Sequence, residues 1–205
     1  MRHLIIGADP FPPYQYIDKN KNICGSDYDT VSLIIDRMGY KADYIIQEWS
    51  LIEKKFNNKE IDIVFQVQKT HDREKLFYFS EKLRDAVTSI VTSTNKVYYG
   101  NIEGLFEENS KLGVIENYKY GEIIDSIGLE NKKLFKSIDE LLKSVNDKKV
   151  AFGVVDLGVF NHLNRQNIYN NIRVLDDMNF NRPLYVAFND KTLRDEFNIY
   201  LCECK

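Results

Sequence analysis

Short apolar runs alternate along this chain with amphipathic stretches, and that alternation limits the folds open to it. Strand-like runs lie at residues 4–8, 41–46, 61–67, 89–93, 112–115, 150–155, 172–175 and 184–188. Between them, Val31, Ile34, Ile35 and Met38 recur at helical spacing after Ser26 or Asp27 as N-cap, with Gly39 as the stop. Ser137 with Glu140 makes a capping box ahead of Leu141, Leu142 and Val145. Further helices are expected at 50–57 and 157–166. Strands alternating with helices specify an α/β fold with crossover connections.

The chain has 205 residues, enough for one large domain or two small ones. A net charge of −3 gives no footprint for nucleic acid or an anionic membrane. No run approaches the roughly 18 apolar residues of a membrane span, and residues 1–3 lead straight into a strand, so a leader would have to have been removed. Cys24 stands alone, and Cys202 and Cys204 are too close for an unstrained disulfide and too few for a metal site. They read as incidental. His3, His71 and His162 are scattered. No nucleophile elbow, zinc-protease helix, P-loop or dinucleotide fingerprint occurs. The chain is therefore expected not to be an enzyme and to need no cofactor or metal.

Residues 61–80, IDIVFQVQKTHDREKLFYFS, carry the most chemistry. A buried-strand pattern runs into Gln66, Gln68, Lys69 and Thr70, then Arg73. An arginine just past a strand's carboxyl end suits a carboxylate, because its planar fork donates two parallel hydrogen bonds. In an exposed charge run such as Asp72-Arg73-Glu74-Lys75 it is otherwise a surface residue. Strand alternation puts Gln66 and Gln68 on one side. Asp156 is the acid at the end of the apolar run VAFGVVD, suited to a ligand ammonium or to capping the next helix. Trp49 and Phe11 also follow strands and are expected in a pocket or in the core. Tyr118 and Lys119 lie in the loop after 112–115.

The phrase K/E-I-D…T-x-x-R-x-x-x-x-F-S resembles the type 2 periplasmic solute-binding proteins, in particular the amino-acid-binding group, bacterial extracellular solute-binding protein family 3. The phrase Trp49-x-Leu51-Ile52…Lys59-Glu60-Ile61-Asp62 is similar to the same family. The resemblance implies a two-lobed α/β fold, each lobe a mixed sheet flanked by helices, joined by two hinge strands. Residues 1–86 with 184–205 would form one lobe and 89–182 the other, with hinges near 85–89 and 181–184. It further implies that Arg73 anchors a carboxylate, Asp156 an α-amino group, and Phe11 and Trp49 the pocket walls.

This chain departs from the family at Gln66 and Gln68, where small residues are usual. It departs again at Tyr118 and Lys119, where a small turn is usual. Relatives also continue with another helix, so this chain looks shortened. The expected function is extracytoplasmic capture of an amino acid or related small carboxylate by a monomer, for delivery to a membrane transporter of the ABC type. A sensor domain of a receptor, kinase or cyclase is the alternative, and an enzyme of the same fold a third.

Overall fold

The structure is a computed structural model that describes residues 3–93, 95, 98, 102–106, 110–166 and 168–203. Cys204 lies outside them. The chain folds into two compact units, residues 1–85 with 183–205 (unit 1) and residues 86–182 (unit 2), and it passes from one to the other twice. In order, the elements are β1 His3–Ala8, β2 Tyr16–Ile17, β3 Ile23–Cys24, α1 Ser26–Arg37, β4 Lys41–Ile46, α2 Trp49–Asn57, β5 Ile63–Val67, α3 His71–Glu74, β6 Tyr78–Phe79, β7 Arg84–Thr92, β8 Leu112–Ile115, α4 Glu122–Asp125, β9 Lys132–Phe135, α5 Ile138–Asn146, β10 Phe152–Asp156, α6 Leu157–Leu163, β11 Arg173–Phe188 and α7 Lys191–Glu203.

In unit 1, β1 pairs in parallel with both β4 and β5, and the end of β11 runs antiparallel to β5 and β6. Two apolar clusters cover this mixed sheet. One holds Val31, Ile34 and Ile35 of α1 with Leu193, Phe197 and Leu201 of α7, and the other holds Ile52 and Phe56 of α2. In unit 2, β10 lies antiparallel to β7 and parallel to β8, which pairs in parallel with β9. Leu141, Leu142 and Val145 of α5 pack on it with Val91 and Val155. Because the parallel strands of each unit share a direction, the loops after β1, β4 and β5 gather at one sheet edge, and those after β8 and β10 at another. Ligand groups in open α/β sheets sit at such carboxyl ends.

Several local expectations need correction. The N-cap of α1 is Gly25, not Ser26 or Asp27. Its φ of 125° is left-handed, and a β-carbon there would run into the Tyr14 carbonyl, so only glycine fits. Residues 172–175 and 184–188 are not two strands but the two ends of β11, whose interior carries Pro183 at the boundary between the units. The alternation expected for Gln66 and Gln68 is interrupted. The pairing of β5 with β11 shifts register between Tyr185 and Val186, Gln66 is the unmatched residue, and its φ is 63°. That is a β-bulge, which re-aims side chains on either side of it. The N-cap of α5 forms, with Glu140 N donating to Ser137 Oγ at 3.2 Å, but Glu140 Oε2 accepts from Lys136 N, one residue before the cap, rather than from Ser137 N as in a full capping box.

Candidate functional site

In unit 1 the T-x-x-R spacing has a simple structural cause. Thr70 is the N-cap of α3, and its hydroxyl accepts from Arg73 N. The cap fixes Arg73 one turn on, at the carboxyl end of β5. The Arg73 guanidinium lies 5.1 Å from the centre of the Trp49 ring. Its Nη2 donates to Glu53 Oε1 at 2.8 Å and its Nη1 to the Gln68 carbonyl at 3.2 Å. Trp49 opens α2 and Glu53 follows four residues later, so both present to the same partner. The structure thus brings Arg73, Trp49 and the Gln68 backbone together. It adds Glu53, which the sequence reading missed although its i, i+4 relation to Trp49 was visible.

Gln66 is drawn to a different partner. Gln15, fully buried, donates from Nε2 both to the Asp9 carbonyl at 3.1 Å and to Gln66 Oε1. Gln15 Oε1, Gln66 Nε2 and Gln68 Oε1 are buried without a hydrogen bond. Phe11 stacks on Tyr14, with ring centres 6.2 Å apart. Tyr14 in turn carries the Arg84 guanidinium 3.4 Å from its ring centre, and Arg84 Nε donates to both oxygens of buried Asp27. An open hollow of about 420 Å³ lies near the opposite end of β5, lined by Lys59, Asp62, Tyr78 and Asp190 among others. It contains none of the expected site residues.

In unit 2, Asp156 ends β10 and caps α6. Its Oδ1 accepts from Gly158 N at 3.0 Å and Val159 N at 3.1 Å. Its Oδ2 accepts from Arg182 Nη2 at 3.1 Å, and Arg182 Nη1 donates to the Lys119 carbonyl at 3.1 Å. Arg182 therefore ties Asp156 to the Lys119 backbone. Nothing in the sequence flagged it, since a buried arginine before a proline looks like any other until its partner is placed. The Lys119 side chain is exposed, while Tyr118 is half-buried and tilts against Tyr120. Tyr120 is buried, and its hydroxyl accepts from Ile115 N at 2.9 Å. Burial pushes this phenol above its ordinary value.

Each unit therefore sets a charged side chain at the carboxyl ends of its strands: a cation on an aromatic face in unit 1, and a hydrogen-bonded carboxylate in unit 2. Among the described residues no group of histidines, cysteines and acids is placed to hold a metal ion. No helix among them is long and apolar enough to cross a membrane.

Comparison with known proteins agrees with this architecture. A curated relative, the L-cystine-binding protein TcyA of Bacillus subtilis (strain 168), is 32% identical over 92 residues. The match covers 43% of this chain and 34% of that protein, so the chain matches about a third of the relative's length. Among solved structures, a histidine kinase sensor domain described as similar to periplasmic binding proteins superposes with a TM-score of 0.87 at 17% identity, over 98% of this chain and 90% of that one. A Gly52Ala mutant of the arginine-bound arginine-binding protein from T. maritima gives 0.83 at 19% identity, over 99% and 96%. The arginine-, lysine-, histidine-binding protein ArtJ from Geobacillus stearothermophilus gives 0.81 at 18%, over 98% and 89%. At these identities the structures show a shared fold. The sequence pattern of one family matches residues 4–204, nearly the whole chain, and the chain belongs to it: the bacterial extracellular solute-binding proteins, family 3.

Proposed function

We propose that this chain is a non-enzymatic, extracytoplasmic binding protein. It captures an amino acid or related small carboxylate by hinge closure of its two units and hands it, as a monomer, to an ABC transporter. The observation that carries this reading is Arg73, held by the Thr70 cap at the end of β5 with its guanidinium over Trp49. A guanidinium in that setting recognises a carboxylate through paired hydrogen bonds. The two passages of the chain, near 85–89 and 181–184, are proposed as the hinges, since ligand contacts made only in a closed state would shift the population toward it. In support, the named relatives include proteins described as binding cystine and arginine.

The test is a thermal-shift screen followed by calorimetry. A ligand at about 100 times its Kd adds roughly 2.7 kcal/mol of stability. Arg73→Ala is expected to weaken binding by about 10- to 100-fold, the equivalent of one charge-assisted contact, while circular dichroism stays unchanged. Undiminished affinity in that variant would refute the anchor.

A second reading is a ligand-sensing domain of a membrane receptor. The observation favouring it is the likeness to a histidine kinase sensor domain across 98% of the chain, which shows that this fold serves sensing as well. The full reading frame distinguishes the two: fusion to a membrane span and a signalling domain marks a sensor.

A further inference from the structure

The ion pair of Arg73 with Glu53 leaves capacity on both sides. Two N–H groups of the guanidinium are spent, on the Gln68 carbonyl and on Glu53 Oε1, which is fewer than a guanidinium carries. Glu53 uses one carboxylate oxygen, and no second partner reaches it among the described residues. The acids next to Arg73 in sequence turn away from it, Asp72 to Lys75 and Glu74 to Lys69. Trp49 covers one face of the guanidinium, and the pair stays part-exposed, 16% for the Arg73 side chain and 35% for that of Glu53. A cation with spare donors and an anion with a spare acceptor thus lie 2.8 Å apart, wholly within unit 1.

Such a pair selects by charge. A ligand bearing only a carboxylate gains the Arg73 donors but sets a like charge beside Glu53. A ligand bearing only an ammonium gains Glu53 but meets the guanidinium. Both repulsions act at close range in a part-buried setting, where salt and water screen them less than at an open surface. A ligand whose carboxylate and ammonium are neighbours escapes both, because each of its charges then lies against its opposite. Resting on the solute-binding reading above, we propose that Glu53 is a ligand-binding residue. With the ligand carboxylate on Arg73, the second oxygen of Glu53 accepts from the ammonium beside it. Side chains of unit 1 alone then read the zwitterionic head. Discrimination against ligands with a single charge comes from the repulsion as much as from the added contact.

The experiment titrates probes into the whole chain by thermal shift and then calorimetry. The common α-amino acids are screened together with lactate, 2-hydroxy-4-methylpentanoate, 3-phenyllactate and 2-hydroxyglutarate. The tightest amino acid is then compared with its 2-hydroxy twin, which keeps the carboxylate, and with its carboxamide, which keeps the ammonium. Both are expected to bind wild type at least about tenfold more weakly than the amino acid. Glu53→Gln keeps an acceptor for Arg73 and removes the negative charge. It should weaken the amino acid about tenfold while the hydroxy acid binds as before or more tightly, so the preference disappears. An equal loss for both twins overturns the inference, since Glu53 would then only position Arg73. An amino acid bound by Glu53→Gln as tightly as by wild type, or more so, overturns it too, as does a hydroxy acid that matches its twin in wild type. Each of these results leaves the solute-binding reading standing. No response from any probe, in wild type or in Glu53→Gln, overturns both. Circular dichroism checks the fold of the variant, and if it does not fold, the wild-type comparison of the twins decides.

Discussion

At the scale of single residues, this chain places its ionisable and aromatic groups under close local control. Tyr120 is the clearest case. Its phenol is buried and accepts from Ile115 N, and burial raises its pKa above the ordinary 10.0. A proton held more tightly in the folded state gives stability that is fully present below pH about 10 and is lost as pH rises past it. Chemical denaturation at pH 8 and pH 11 should show this loss, and Tyr120→Phe should reduce the alkaline slope while costing about 1 kcal/mol at neutral pH. Trp49 offers a second test. Because the sole tryptophan carries the Arg73 guanidinium on its ring, a carboxylate bound at Arg73 should alter its fluorescence, and an unchanged spectrum at saturation would place the ligand elsewhere. Local placements were only partly legible in the sequence. The T-x-x-R spacing stood out at Arg73 and is a cap on a four-residue helix. The partner of Arg182 was hidden, because an ion pair set by tertiary placement leaves no periodic trace, and Glu53 showed only its i, i+4 spacing from Trp49.

Among the elements, those with a strong apolar stripe and a start signal were readable, and those at edges were not. The helix α5 has both, with Ser137 accepting from Glu140 N ahead of buried Leu141, Leu142 and Val145. Ser137→Ala should cost about 1 kcal/mol, seen as a lower denaturation midpoint with an unchanged slope. The edge strand β9 buries only Phe135 among its four residues, so no alternation marks it. The pair of β2 and β3, two residues each, is too short for any periodic signal. The sequence reading missed α7 although its signal was present: Leu193, Phe197 and Leu201 recur every four residues, and Asp190 Oδ1 accepts from Thr192 N at 2.9 Å as a cap. β11 looked like two strands because Pro183 reads as a break. Pro183 lies at the boundary between the units and before the β11–β5 pairing, which starts at Tyr185, so its missing N–H falls outside that ladder.

For the molecule as a whole, the division into units determines where damage is felt. Phe197 is fully buried, with its ring 5.2 Å from that of Phe188 in the core of unit 1. Phe197→Ala should destabilise unit 1 by about 3–5 kcal/mol. Hydrogen exchange followed by mass spectrometry should then show faster exchange in β1, β5 and α1, with β8, β10 and α5 keeping their protection. Equal loss in both would mean the units unfold as one. The same division has a consequence for synthesis. The first segment of unit 1 precedes unit 2 along the chain, yet the sheet and core of unit 1 are completed only by residues 183–203, whereas unit 2 is continuous. At roughly 5–20 residues per second, the early segment waits about 5–20 s outside the ribosome while unit 2 is made. During that interval the edge of β5 that later receives β11 has no strand beside it. That edge is the stretch of the nascent chain that a holding chaperone would have most reason to cover.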